Sequence, residues 1–551
     1  MADRPVNPAA GTLHPAMGRT MRSDASPCEA PGRVRLRTGG LAGLLTIIFT
    51  MLLLGGLAWQ VAPYLREVWQ EINFPFELDY AEGIVWQQAL LIPGPAMYGR
   101  IDTFPFIVFE YPPIYHLAVR GLMALGADPL VGGRALSFAC TLVIVGLCGW
   151  LVNRAMTGAT GRLARFAGVG IAILMPLTCY PVTIWSMLMR VDMLAIALSF
   201  SGVTFAVMAI RRPVWLWPAM VAFVLAVYTR QTEMIAPVAV LAVSSLVNPR
   251  QTLLAVLGGL AMAAVALLSL EWATAGGFLR HIVLYNINPF SLWAAFDIIA
   301  WMYGVHAVYF ATALTGLLVI WWAEIRSARR TPRGEPPTFA NGYGWSVFLR
   351  GSDRRIVLAI VTVWFVLSLP AQLTVGKSGA WVNYFIEMMC IWSIPIGMLV
   401  TFGLEHGFGA VRSSGAGLAR GTTIILLAAL FWQTMHLLPG RALPDPAFAA
   451  ASQRLVQEIR SATRPVFSED MVLLMRSGQT VPLEPVIFSD LSRTGAWDQS
   501  TFLRMIGDRS FAFLVMREER RYTPEMLSAF RNAYPVVETA GSFTILRPRT
   551  P

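Results

Sequence analysis

Charge is what this sequence has least of. Aspartate, glutamate, lysine and arginine make up 14% of its 551 residues, against about 25% in ordinary soluble domains, and that argues against a cytosolic globular enzyme. Lysine is nearly absent: Lys377 is the only one, so the net charge of +11 is almost wholly arginine. The arginines sit in short stretches between apolar runs, the pattern of cytoplasmic loops rather than of a groove for phosphodiesters, so no nucleic-acid partner is expected. Cysteine is sparse as well. Cys28, Cys140, Cys148, Cys179 and Cys390 form no CxxC pair and no metal-ligand spacing. All but the first lie inside apolar runs and read as small core side chains, which excludes a disulfide-stapled secreted module. There is no P-loop, no GxGxxG after a strand and no repeat of fixed period.

What abounds is apolar sequence: 56% of residues are hydrophobic and the mean hydropathy is +0.57. Runs of near-spanning length cover approximately 41–62, 133–153, 164–184, 191–210, 213–229, 233–247, 252–271, 298–322, 356–375, 382–403 and 421–439. The first is too long for a cleaved signal and lacks a small-residue cleavage site after it. The segment 112–126 is short, opens on two prolines and carries His116 and Arg120 in its middle. If it crossed the membrane, the arginine-rich loops would all face outward. The positive-inside rule therefore makes it a half-helix at the outer face, leaving about eleven spans with the N-terminus inside and the C-terminus outside.

The expectation is an α-helical polytopic membrane protein of about eleven transmembrane helices, with outer-face amphipathic half-helices and a small C-terminal α/β extracytoplasmic domain. Residues 1–40, rich in Pro, Gly, Ala and Arg, read as a disordered cytoplasmic tail. Residues 41–440 form the transmembrane domain, within which 63–128 is an outer-face loop with juxtamembrane helices. Residues 441–551 have the composition of a soluble domain. There PVFSED, PVIFSD and FAFLVMR read as strands, and MVLLMRSG, TFLRMIGD and TPEMLSAFRNAY as helices. A last strand pair turns at Ala540-Gly541. Ser468-Glu469-Asp470 and Asp490 are acidic enough for a site, but Ser468 reads as a helix N-cap.

The chemistry-bearing residues gather on the outer side. The loop 63–110 holds Glu67, Glu71, Glu77, Asp79, Glu82, Asp102 and Glu110 against two arginines. Asp79 stands near the start of a short helical pattern (AEGIVWQQALL), Glu82 one turn on, and Glu110 at the mouth of the half-helix. Further charged groups stand at the outer ends of later spans: Arg190 and Asp192; Arg230, Gln231 and Glu233; Lys377, Asn383, Tyr384 and Glu387. Ionisable groups at span ends often only snorkel or pair locally. Acids, cations and amides at several helix tops on one side are more simply explained by a common cavity. Carboxylates facing a cavity that also offers Arg and Lys suit a base acting on a hydroxyl or amine, with cations holding a leaving phosphate. A sugar carried on a polyprenyl phosphate presents such a phosphate at headgroup level.

The runs ELDYAEG, VFEYPPIYHLAVRGLMALGADPLVGGRALS, RVDMLA, YTRQTEMIAP and NYFIE, in that order, resemble integral-membrane GT-C glycosyltransferases. These include the lipid A aminoarabinose transferases, the protein O-mannosyltransferases and their bacterial relatives. The similarity covers roughly residues 40–440. It implies an inverting sugar transfer from a polyprenyl-phosphate donor to a glycan, lipid or protein acceptor, in a multi-pass protein of the bacterial inner membrane. It implies a catalytic base at Asp79, with Glu82 as the alternative. Glu110 and Asp192 become candidates for a second acid or for ligands of a divalent metal, which some relatives bind and others do not require. Where the aminoarabinose enzymes have a lysine after the second acid, this chain has Tyr111. Donor phosphate and sugar contacts are therefore expected from Arg190, Arg230 and Lys377, with Tyr111, Gln231, Asn383, Tyr384 and Glu387 beside them. A transporter or lipid flippase, or a non-catalytic scaffold of envelope assembly, is the alternative reading. The outer domain recognises acceptor, caps the cavity or packs against it.

Overall fold

A computed structural model of the protein describes residues 40–157, 161–330, 342–406, 414–437 and 446–549. The tail expected over 1–40 lies almost wholly outside the described residues. Every apolar run becomes helical. Among the described residues, seven helices are long and apolar enough to cross a membrane by length and composition: Gly40–Ile72, Pro129–Ala155, Asp192–Ala209, Pro249–Ala273, Ala307–Arg329, Asp353–Gly376 and Val382–Glu405. The chain is a multi-pass membrane protein. The other four runs form Arg162–Leu174, Leu216–Val227, Ile235–Val247 and Ser414–His436. The run 164–184 is interrupted where Pro176 opens a short 3-10 turn, because proline brings no N–H to continue the ladder. The run 298–322 breaks at His306 into two helices. Segment 112–126 folds as the 11-residue helix Ile114–Ala124, which is too short to span.

Small residues let the helices approach closely. A Cβ on Gly168 would stand 2.2 Å from the Gly397 carbonyl oxygen, so Arg162–Leu174 and Ile386–His406 touch backbone to backbone. The principal core runs through this bundle, with Trp364, Trp392 and Phe200 wholly enclosed.

The C-terminal residues fold into a small α/β unit. Strands β1 (Phe467–Ser468), β2 (Leu514–Met516), β3 (Val536–Ala540) and β4 (Phe543–Arg547) form one sheet in the order β1-β2-β4-β3. The β1–β2 pair is parallel and the others are antiparallel. Helices Met471–Ser477, Ser500–Gly507 and Pro524–Ala533 fall where the sequence predicts them. PVIFSD does not: Pro485–Arg493 is a helix rather than a strand. Glu484 caps it, accepting from the Val486 and Ile487 amides (3.2 and 2.7 Å), and Pro485 occupies the first helical position, where its missing N–H costs nothing. The cap of Met471–Ser477 is likewise Asp470, not Ser468, which lies in β1 and donates to the Asp470 carbonyl at 2.7 Å.

This unit shares a core with the loop that follows the first helix. Phe76, Ile84, Ile107 and Phe109 pack with Leu455, Val466, Leu473 and Val515. Phe106 packs with Phe488, Trp497 and Phe502. A Cβ on Gly83 would lie 2.4 Å from the carbonyl carbon of Met471, so the helix Glu82–Leu91 rests directly on the backbone of the C-terminal unit. Arg476 ties the same seam by bonding Asp128 and the Pro75 carbonyl while lying over Trp86.

Candidate functional site

The site is built on an ion pair with no exposure at all. Arg134, on the second turn of Pro129–Ala155, meets Glu82, the first residue of Glu82–Leu91, through Nε–Oε1 and Nη2–Oε2 at 2.8 and 2.6 Å. The same guanidinium donates to the carbonyls of Glu71, Phe74 and Phe76. Glu82 also accepts from the amides of Met189, Leu78 and Asp79. Such a pair is tolerable in an apolar interior only because every donor and lone pair is used. It fixes the loop 73–81 against two helices and holds Ala81 in the left-handed region (φ 79°), a conformation that costs a non-glycine residue about 1–2 kcal/mol. Glu82 therefore has no carboxylate oxygen left for any further donor.

Asp79, three residues earlier, is differently placed. Its side chain is 31% exposed, and its Oδ2 lies 3.3 Å from Arg190 Nε without accepting a hydrogen bond. Burial pushes its carboxyl up to about 6, against the opposing pull of Arg190. Arg190 also donates to the Tyr80 carbonyl (3.3 Å) and lies in the field of Tyr111, Asp192 and Glu110.

Asp192, at the start of its span, is closed in by Arg230 (3.5 Å) and by Asn383 Nδ2, which donates to its Oδ1 at 2.8 Å. Arg230 also pairs with Glu233 at 3.2 Å and lies 4.6 Å over the Tyr384 ring. Residues from three distant stretches thus form one wall. Glu387 does not join them by hydrogen bond; it accepts from Trp364 Nε1 at 2.9 Å. Asn383 and Glu387 consequently serve different partners, although the sequence puts them a turn apart.

Glu110 stands near the lone lysine. Its carbonyl accepts from Gln231 Nε2 (3.1 Å) and Asn286 Nδ2 (2.7 Å), and Lys377 Nζ donates to Asn286 Oδ1 at 2.7 Å. Burial raises the Glu110 carboxyl, with Arg190 and Lys377 opposing; burial lowers the Lys377 ammonium, with Glu110 opposing. Among the described residues no group of three or more His, Cys, Asp or Glu is arranged to hold a metal ion. Of the two candidate ligands, Asp192 is already engaged by Arg230 and Asn383 and Glu110 stands in the field of Arg190 and Lys377, so the residues present do not fit a divalent cation.

Two cavities adjoin this cluster. One, of about 390 Å³, is apolar, lined by Pro112, Tyr228, Leu260, Ala264, Leu267 and Phe278, with the Gln231 amide at its margin. Gln231 Oε1 is buried there and accepts no hydrogen bond. The other, of about 560 Å³, lies between the loop after Lys377 and the C-terminal unit. Tyr80 ties the loop bearing Asp79 to the C-terminal unit: its hydroxyl donates to Glu484 and its ring lies 4.1 Å beneath the Arg521 guanidinium. Sequence reasoning named neither Arg134 nor the contributions of Tyr80, Glu484 and Arg521. The one visible signal was an arginine inside an otherwise apolar helix start, which demands a buried partner.

A multi-pass helical bundle carries a charged cluster at one end, with a small α/β unit packed on the loop that bears Asp79, and solved structures share this fold. The solved structure of ArnT from Cupriavidus metallidurans in the apo state is similar to this chain, with a TM-score of 0.53 over 89% of this chain and 97% of that one, at 12% identity. ArnT from the same organism bound to undecaprenyl phosphate gives a TM-score of 0.50 over 89% and 98%, also at 12% identity. At that identity the likeness is one of fold. No family model and no curated protein matches the sequence.

Proposed function

We propose that the protein is a glycosyltransferase moving a sugar from a polyprenyl-phosphate donor to an acceptor hydroxyl or amine, with inversion and with Asp79 as general base. The observation that carries this reading is the setting of Asp79. It is a partly open carboxylate with a raised pKa, matched by one arginine, in a charged cluster that adjoins an apolar groove and a polar cavity. The fold shared with ArnT, solved with undecaprenyl phosphate, supports the donor class.

In this mechanism Asp79 takes the acceptor proton as the acceptor atom attacks the anomeric carbon. The bond from that carbon to the phosphate oxygen breaks on the opposite face, and its electron pair leaves with the polyprenyl phosphate. Arg190 and Lys377 meet the developing charge. The prenyl chain lies in the apolar groove, and the unpaired Gln231 Oε1 at its margin suits a sugar hydroxyl. Tyr111, Tyr384 and Asn383 complete the donor side, with Arg230 and Asp192 holding that wall, while Glu387 stays with Trp364. Glu82, saturated by Arg134, positions the loop, and Glu110 tunes Lys377. No step is routed through a metal. The reaction takes place at the outer face of a bacterial inner membrane, with the N-terminus cytoplasmic and the C-terminal unit outside.

The test is incubation of the purified protein in lipid with a panel of polyprenyl-phosphate sugars, reading released polyprenyl phosphate. Release with at least one donor upholds the reading. Movement of lipid or sugar across the bilayer with no release would overturn it in favour of a transporter.

A further inference from the structure

The polar cavity has a chemistry of its own. Ser378, Gly379, Ala380 and Trp381 form one side; Asp490, Arg493, Arg520 and Arg521 stand on the other. At about 560 Å³ it falls within the range of small-ligand sites. Three arginines face one aspartate, and that aspartate is already used: Asp490 accepts from Ser378 Oγ at 2.7 Å and from Arg493 Nη1 at 2.8 Å. Arg493 is steadied by the Tyr522 carbonyl at 3.1 Å, yet its side chain remains 45% exposed. Arg520 is 83% exposed, and its partner Glu518 is itself 35% exposed. A pair so open to water contributes little, so an entering anion can displace it. Arg521 is held by the fully buried Glu469 at 2.8 Å and stacks on Tyr80, the residue after Asp79.

Opposite the arginines, Trp381 presents 47% of its surface and stacks on Trp301 with centroids 6.3 Å apart and planes at 27°. An open indole offers a flat apolar platform for the C–H face of a sugar ring. Forked guanidinium groups are the side chains best shaped for carboxylate and phosphate. Neither feature serves a prenyl chain, which has the apolar groove.

We propose that this cavity is the acceptor subsite, and that the acceptor is an anionic glycan whose phosphate or carboxylate is gripped by Arg493 and Arg520 while a sugar ring rests on Trp381. The assignment of the cavity to the acceptor rests on the transferase reading above; the ligand class rests on the cavity lining alone. Arg521 carries the subsite's position to the base through Tyr80.

The experiment uses the full chain in lipid nanodiscs and ligand-observed NMR titration with a hexose 1-phosphate, a hexuronic acid and the neutral hexose. The two anionic arms distinguish phosphate from carboxylate as the group recognised. The expected result is saturation by at least one anionic sugar with at least tenfold higher affinity than the neutral hexose. That preference is lost in the double variant Arg493→Gln/Arg520→Gln and partly retained in Arg520→Lys, which keeps the charge but not the fork. Undecaprenyl phosphate affinity is unchanged in both variants. Equal binding of anionic and neutral sugars, or a preference that survives the double variant, overturns the subsite even if sugar transfer is intact. A preference lost in the variant, in a protein that releases polyprenyl phosphate from no donor, upholds the anionic ligand class and removes the transferase reading instead.

Discussion

Replacing Glu82 with glutamine tests whether the buried ion pair organises the site. The substitution keeps the shape but leaves the Arg134 guanidinium charged, with no exposure and no counter-ion. Breaking one side of such a pair costs about 3–5 kcal/mol. The loss should fall on the loop 73–81, because Arg134 bonds the carbonyls of Glu71, Phe74 and Phe76 and Glu82 bonds the amides of Leu78 and Asp79. At about 1.4 kcal/mol per tenfold change, local opening of this loop should become about a hundred- to four-thousand-fold more frequent. Hydrogen exchange read by mass spectrometry on peptides spanning 71–82 measures it directly, with peptides from Ile386–His406 as the internal control. The double variant Glu82→Met/Arg134→Met removes the stranded charge but leaves three carbonyls without a donor and the amides of Leu78, Asp79 and Met189 without an acceptor. At about 1–3 kcal/mol for each such group, the loss is at least as large as in Glu82→Gln, so this variant should recover none of the protection. Exchange in Glu82→Gln within threefold of wild type would refute the reasoning.

If Asp79 is the base, it must be ionised to work. Its carboxyl, raised by burial to about 6, should make the transfer rate climb about tenfold per pH unit below that value and level off above it. A pH–rate profile checks this, and a rate that is flat between pH 4.5 and 7 contradicts it. Gly83→Ala drives a Cβ into the backbone of Met471. Overpacking of this kind costs about 1–3 kcal/mol, and should appear as earlier thermal release of the C-terminal unit, followed by proteolysis. Glu77 and Asp470 meet at the same seam: burial and the charge of Asp470 raise the Glu77 carboxyl, and burial raises that of Asp470 against Arg517. The docked unit therefore binds more protons than the released one. Docking should be firmest at low pH and weaken as pH rises through the raised values, visible as lower protection over 467–477 at pH 8 than at pH 5.5 once the intrinsic pH dependence of amide exchange is divided out.

The apolar runs were legible because hydropathy is a local property; each became a helix. Their lengths were less so, since Pro176 and the break at His306 cut runs that composition alone leaves continuous. PVIFSD reads as a strand from its β-branched and aromatic residues, yet the Glu484-Pro485 start was a helix signal in plain view. Asp192, Arg230, Asn383 and Tyr384 each stood out as polar groups at helix tops. Their convergence is a tertiary fact, joining residues 191 positions apart in the Asn383–Asp192 bond. The Arg134–Glu82 pair, 52 positions apart, and the grip of the C-terminal unit on the loop bearing Asp79 depend on packing that no local pattern encodes.

The central claim is that Asp79 removes the acceptor proton during transfer from a lipid-linked sugar. Its most direct test compares wild type with Asp79→Asn in lipid, measuring polyprenyl phosphate released from a donor that wild type turns over, alongside donor affinity. The predicted result is release falling by at least a hundredfold with donor affinity unchanged. Release that persists at the wild-type rate in the variant would contradict the account and move the base elsewhere in the cluster.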